Sequence, residues 1–489
     1  MVAAAVLFAV LALVGGRYGF HRDEFYFIEG GRHPDWAQAD NPILVPLLAS
    51  AWHDLVRSHL WAFRLLPALA AALTVLVASL TSRALGGSRR HQTATAAAVA
   101  LTSIVPATGH LFSITTFDIL LTSTTILVLV TALRRPERIQ PWLLLGVVSG
   151  LAFEVKVLPA VVLLACLLGL LLVGPRAALR RPGPWVAAGI AAVAGAPNLL
   201  WQASHGWPML EISASIAAGG SVSSASRATV VPLHLLMVGP LMAVVLVIGL
   251  FTLARRPQLR PYRWITVAYV LFLAFVVVSG GKPYYLAGFF PVGLAAGVMP
   301  VLDWVERSRP RVAVAAVLVV LFAIPTAFFS LPLAPPGSFV YRVAATVNPD
   351  TGETVGWDGY LSTVRRTASA LTPAEREISI IVARNYGEAG ALARARRIRA
   401  TDAETLPPVF SGHNAFAEWG PPPPTASTVI AVGNFSQLQL ESWFLDCDIV
   451  DYLSSPAGVD NEEDNAPVRI CRGVRQPWAV LWPSMTRLA

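Results

Sequence analysis

The sequence predicts a polytopic α-helical membrane protein of about eleven transmembrane helices with a C-terminal external α/β domain, and three observations predict it. Hydrophobic residues make up 55% of the chain and charged ones 13%, with a mean hydropathy of +0.59, outside the range of soluble domains. Eleven apolar runs approach the roughly 20 residues that cross a hydrocarbon core, at 2–16, 62–82, 93–112, 116–133, 142–155, 157–174, 184–201, 230–254, 262–279, 285–304 and 312–331. Past residue 334 the runs shorten while charge, glycine and proline rise.

The opening MVAAAVLFAVLALVGG reads as a retained span, because it lacks the basic n-region and small-x-small site of a cleaved signal peptide. The fifth and sixth runs are divided only by Glu154 and Lys156. Arginines mark every second connection: Arg83, Arg89 and Arg90; Arg134, Arg135 and Arg138; Arg176, Arg180 and Arg181; Arg255, Arg256, Arg260 and Arg263; Arg307, Arg309 and Arg311. Short cytoplasmic loops carry that bias. The loop at 17–61, the connection at 202–229 and everything after about 335 are then expected outside, dividing the chain into a membrane domain at 1–334 and an external domain at 335–489. The net charge of +8 reflects this topology. No basic face or reader motif points to nucleic acid; the expected surroundings are membrane lipids.

In the external region, EISIIVAR (377–384) and STVIAVGN (427–434) have the length and β-branched content of buried strands. WDGYLSTVRRTASAL and GEAGALARARRIRA read as helices, and such alternation suggests a small α/β domain. The prolines at 421–424 predict a stiff exposed segment. Cys447 and Cys471 are the only cysteines here and are expected to form a disulfide. Cys166 lies in an apolar run.

The chemistry is expected in the loop HRDEFYFIEGGRHPDWAQADNPILVP (21–46). A plain turn between spans has no need of Asp23, Glu24, Glu29 and Asp40, of Arg22, Arg32 and His21, and of Tyr26 and Trp36. The lysines add to this. Of 37 Lys plus Arg residues only Lys156 and Lys282 are lysine, both at predicted external ends of spans, where cations need a reason. GGKPYYLAGFFP offers an ammonium beside Tyr284 and Tyr285, suited to an anion such as a lipid phosphate; snorkelling of Lys282 and a Glu154 ion pair for Lys156 are the plainer readings. NLLWQASHGWP brings Asn198, Trp201, Gln202, His205 and Trp207 to one end of a span, where tryptophan also serves as interface belt. Asp118 opens another span, as helix cap or as pocket lining. No metal site is assigned, and no cofactor is certain: a divalent cation held by His21, His33, Asp40 and His205 stays open, but no HxxxH-type spacing supports it.

These motifs resemble a known group. FHRDEFYF soon after the first span, followed by DNPILVPLLA, is similar to the GT-C superfamily of polyprenyl-phosphate-sugar-dependent glycosyltransferases, and within it to family 39, the protein O-mannosyltransferases and the aminoarabinose transferases of lipid A. LLWQASHGWP, GKPYYLAGFFP, NYGEAGAL and FSGHNAFAEWGP are similar to segments of bacterial members. The resemblance implies an inverting transferase of the bacterial plasma membrane, with a polyprenyl-phosphate sugar as donor and an acceptor entering from outside. It implies Asp23 as general base, Glu24 as its orienting neighbour and Asp40 as a second loop carboxylate. Asn41 stands where the aminoarabinose transferases carry a phosphate-binding lysine. That departure moves the expected donor-phosphate anchor to Lys282, assisted by Arg22, Arg32 or Lys156, with His21, Tyr26, Asp40, Asn41, Asp118, Trp201, His205, Tyr284 and Tyr285 lining the pocket. A soluble C-terminal domain favours a lipid or cell-wall glycan acceptor over a protein. One base suffices for transfer from a phosphate leaving group, unlike the two carboxylates of hydrolysis.

A transporter or flippase of lipid-linked or polar solutes is the rival class, and its signals would be internal repeats and broken spans with charges at mid-membrane. No repeat is evident in the sequence. An anchored receptor would need only one span.

Overall fold

The computed structural model describes residues 1–220, 224–398, 406–456 and 459–488, which fold into two units. The first comprises Met1–Gly16, Trp61–Gly206 and Ser213–Leu333; the second comprises Arg17–Leu60, Trp207–Ile212 and Ala334–Ala489.

The first unit is helical. Among the described residues six helices are long and apolar enough to cross a membrane: Leu60–Ala84, Ile114–Arg134, Pro182–Ser204, Pro257–Ser279, Pro283–Val305 and Arg309–Ser330. A seventh candidate, Val230–Val238 plus Pro240–Arg255, bends by 103° at Gly239, whose φ of +93° suits glycine. Val2–Val14, Ile139–Val155 and Leu158–Val173 are apolar but shorter. The run at 93–112 is not one helix. It breaks between Arg89–Ala100 and Ile104–Gly109, where the Thr102 hydroxyl donates to the Val99 carbonyl at 2.8 Å. Length therefore qualifies six or seven spans, not the expected eleven.

The helix Arg309–Ser330 shows what solvent these helices require. Its hydropathy is 2.7, yet none of its most apolar stretch is buried in protein. Val314, Val317, Val320, Leu321 and Ile324 are all exposed, an arrangement that lipid satisfies and water does not. Elsewhere backbones approach closely through small residues: a Cβ on Gly249 would fall 2.8 Å from the Gly297 nitrogen and closer still to the Gly293 carbonyl. The chain is a multi-pass membrane protein by these features.

The second unit contains one mixed sheet of β1 (Ser379–Ala383), β2 (Val409–Phe410), β3 (Thr428–Val432), β4 (Phe444–Tyr452) and β5 (Pro467–Val474), in the order β2-β1-β3-β5-β4. β1 runs parallel to β2 and β3, while β5 is antiparallel to both β3 and β4. The two strands expected from sequence are β1 and β3, whose residues are all buried. The expected helices are Trp357–Ser369 and Tyr386–Ile398; the last two residues of the second expectation, 399 and 400, lie outside the described residues. Ile380, Val382, Val429, Ala431 and Phe435 pack with Trp443, Trp478 and Trp482. Cys447 and Cys471 face each other across β4 and β5 and are joined as a disulfide.

This bridge closes a loop with a sequence separation of 24. A Cys447→Ser, Cys471→Ser double variant is expected to lose about 3 kcal/mol of stability in this unit. Thermal melts of both proteins, with thiols counted by alkylation and mass, measure it; equal midpoints would remove the bridge's role.

Candidate functional site

In the second unit the loop charges are organised by one short helix, Arg22–Gly30. His21 is its N-cap: the ring Nδ1 accepts from the Asp23 backbone N–H at 3.1 Å, and the Glu24 carboxylate accepts from the His21 N–H at 2.8 Å. This is a capping box made by His and Glu instead of the usual Ser or Thr pair. Glu24, expected to orient Asp23 or the sugar, is fully buried and holds the helix start.

The same geometry isolates Asp23. It is the only residue of Arg22–Gly30 that is not buried. Its Oδ1 accepts from the Tyr386 hydroxyl at 2.9 Å. Burial, then the charge of Asp23, raises the Tyr386 phenol well above its ordinary range, so it stays a donor.

A second carboxylate lies in the same electrostatic environment. Asp40 Oδ1 accepts from the Tyr26 hydroxyl at 2.7 Å, and Oδ2 accepts from the Asn414 amide at 3.1 Å. Desolvation pushes the Asp40 carboxyl up to about 6, with Asp23 adding to the rise. The rings of Tyr26 and Tyr386 lie 4.5 Å apart between the two acids' hydrogen bonds. Asn41 sits in the tight turn before the next helix, where its carbonyl accepts from the Gln38 N–H at 2.9 Å.

Neither arginine of the loop offers an open phosphate site. Arg22, 6% exposed, pairs with Glu462 at 2.8 Å and Glu353 at 3.3 Å. Arg32 pairs with Asp54. The cation reading also fails to gather. His21 caps its helix and lies 4.0 Å from Asp350, while His33 stacks on Trp419 at 4.1 Å. Among the described residues no three His, Cys, Asp or Glu side chains converge as ion ligands.

The first unit brings together another set. Lys156 pairs with Asp118 at 3.6 Å, not with Glu154, whose Oε1 is buried without a hydrogen-bond partner among the described residues. Lys156 also lies over the Tyr285 ring at 4.3 Å and the Tyr284 ring at 5.3 Å; Lys282 lies 6.0 Å from the Tyr284 ring. Asp118 is not a cap: Ser113 caps Ile114–Arg134 by accepting from Thr115 N–H, and Asp118 accepts from Thr122 one turn on. Gly280, left-handed at φ +69°, ends Arg263–Ser279 and delivers Lys282.

Sequence reasoning missed His234, which is buried in an apolar run. Its ring bonds the Pro283 carbonyl at 3.0 Å and the Tyr269 hydroxyl at 2.6 Å, fixing the segment that carries Lys282. It also missed Tyr386 and Asn414, although both stand in motifs quoted for the family resemblance. At the end of Pro182–Ser204, Trp201 and His205 stack at 4.0 Å; His205 is exposed, while Asn198 is fully buried with neither side-chain polar atom hydrogen-bonded among the described residues.

The pH response of the second unit follows from Asp40. Its folded value lies above the ordinary 3.8, so the folded state holds the proton more tightly, and this stabilisation is complete below about 4 and lost as pH rises through about 6. Raising pH across that window is expected to cost up to about 3 kcal/mol. Asp40→Asn removes this component; melting curves from pH 4 to 7 that are parallel for both proteins would contradict it.

Comparison with known proteins agrees with the fold. A family profile described as dolichyl-phosphate-mannose-protein mannosyltransferase matches residues 40–201. No curated protein matches the chain in sequence. ArnT from Cupriavidus metallidurans bound to undecaprenyl phosphate is similar in structure, with a TM-score of 0.61 at 16% identity over 95% of this chain and 97% of that one. The apo form of that protein gives 0.59 at 16% identity, over 96% and 97%. The archaeal oligosaccharyltransferase AglB from Archaeoglobus fulgidus, in complex with an inhibitory peptide and a dolichol-phosphate, gives 0.50 at 13% identity, over 88% and 69%. The resemblance read from the motifs is borne out: the chain is similar to the GT-C glycosyltransferases of family 39, with the fold of ArnT and the mannosyltransferase profile over residues 40–201.

Proposed function

We propose that this protein is a membrane glycosyltransferase that moves a sugar from a polyprenyl-phosphate donor to an external lipid or cell-wall glycan, with inversion. The bacterial plasma membrane is its location, and the second unit lies on the extracytoplasmic side. The observation that carries the reading is Asp23: one accessible carboxylate on an otherwise buried helix, hydrogen-bonded on one oxygen, in a chain with the fold of an undecaprenyl-phosphate-binding transferase.

In this reading Asp23 takes the proton of an acceptor hydroxyl as its oxygen attacks the anomeric carbon. The bond from that carbon to the phosphate oxygen breaks, and polyprenyl phosphate departs as an anion. The leaving group needs a cation and no general acid. Lys282 is assigned that role, with Tyr284 and Tyr285 beside it. Lys156 is already compensated by Asp118 and supports the segment. The second unit, which is not a further set of membrane helices, is why a lipid or glycan acceptor is preferred to a protein.

Reconstituted protein is tested for transfer of label from a panel of undecaprenyl-phosphate sugars to bacterial envelope lipids and glycans. Asp23→Asn is expected to lower kcat by about 10³-fold or more; full activity would sink the base assignment. Lys282→Ala is expected to weaken donor binding about tenfold, a loss of roughly 1.4 kcal/mol, and more than Lys156→Ala does. The opposite order moves the anchor to Lys156.

A further inference from the structure

We infer that Tyr386, on the first turn of the helix that follows β1, is a positioning residue for Asp23: its hydroxyl holds one carboxylate oxygen so that the other faces the acceptor. This deepens the proposed function and rests on Asp23 being the base.

The hydroxyl donates to Asp23 Oδ1 at 2.9 Å. The ring carrying it is packed by three neighbours. Tyr26 lies against it at 4.5 Å, His413 at 4.9 Å, and the Arg22 guanidinium sits 5.3 Å from its centroid. The Tyr386 backbone N–H donates to His413 Nδ1 at 3.3 Å. Gly387 lets the two helices close up, because a Cβ there would fall 2.7 Å from the Arg22 Cβ. The hydroxyl therefore arrives pre-aimed, with little rotamer freedom to lose.

A carboxylate on a short helix can swing through its χ2 torsion, which is broad for Asp. A base needs its accepting oxygen within hydrogen-bond reach of the proton it removes. A fixed donor on one oxygen removes the swing. Residues of the C-terminal segment thus take part in the chemistry of a loop more than 350 positions away in sequence. Tyr360 is a useful contrast: it is a buried tyrosine of the same unit, but its hydroxyl donates to the Glu388 carbonyl at 3.3 Å.

The test uses the full-length protein in lipid nanodiscs with whichever undecaprenyl-phosphate sugar the wild type transfers to envelope acceptors. Tyr386→Phe keeps the ring contacts and removes only the donor. It is expected to lower kcat on the order of tenfold with the donor KM unchanged, and to move the acid limb of kcat/KM to higher pH. Fluorotyrosine placed at 386, a stronger donor, is expected to move that limb to lower pH. A merely structural role would not give opposed shifts. Tyr360→Phe is expected to keep wild-type kinetics, and melting midpoints confirm that each variant is folded. Loss of activity in Asp23→Asn with wild-type kinetics in Tyr386→Phe overturns this inference alone. Activity retained in Asp23→Asn, or no transfer by the wild type from any donor, overturns the base reading and this inference with it.

Discussion

The close approach of the helices Arg22–Gly30 and Tyr386–Ile398 is the constraint on which the second unit's candidate site depends. Two glycines permit it. A Cβ on Gly390 would meet Phe25 at 2.9 Å, and one on Gly387 would meet Arg22. Larger residues would force the helices apart by enough to break hydrogen bonds of the length seen between Tyr386 and Asp23. The approach also buries Arg22. An isolated buried guanidinium would be prohibitive, but Glu353 and Glu462 both reach it, and removing one partner of such a set costs far more than the set contributes. The carboxylates are therefore structural requirements of the loop's position. Asp23 is left as the accessible acid because its neighbours in sequence are occupied: Arg22 by two glutamates and Glu24 by the helix cap.

Much of the fold was legible in the sequence, because hydropathy over 20 residues reports burial in lipid or protein directly. The runs at 116–133 and 184–201 each lie in a single long helix, and the run at 312–331 extends one residue past the helix Arg309–Ser330. The run at 93–112 misled for the same reason: composition does not register a break at Leu101–Ser103 that a hydroxyl and a following proline allow. In the sheet, β1 and β3 were readable because buried parallel strands are continuous apolar runs. β4 was not, since FLDCDIVDY is an edge strand whose acids face outward, as edges usually require.

The candidate site was legible in its residues and not in its pairings. His21 and Glu24 are spaced as a capping box, but His is not the residue that signals one. Lys156 was set against Glu154 because they are neighbours in sequence, yet residues two apart on a helix do not face each other. Lys156 is moreover extended, at φ −160° and ψ 144°, and reaches Asp118 on another helix. Such long-range pairs leave no trace in a single sequence. In this structure the segment NYGEAGAL places Tyr386 as a donor to Asp23, leaves room for the neighbouring helix at Gly387 and Gly390, and sets Glu388 to accept from the Asn385 N–H at 3.0 Å.

The lysine set in the first unit shows why two cations so near each other are not interchangeable. Asp118 is 3.6 Å from Lys156 and within the same low-dielectric layer of helices, so that ammonium is compensated and fixed, with two aromatic faces over it. Lys282 differs in what fixes it: the backbone is set by the left-handed Gly280, by Pro283 and by the His234 bond to the Pro283 carbonyl. The two ammonium groups are thus set by different means, Lys156 by a carboxylate and two aromatic faces and Lys282 by the backbone that carries it, so exchanging one for the other changes both the charge balance and the local geometry of the first unit.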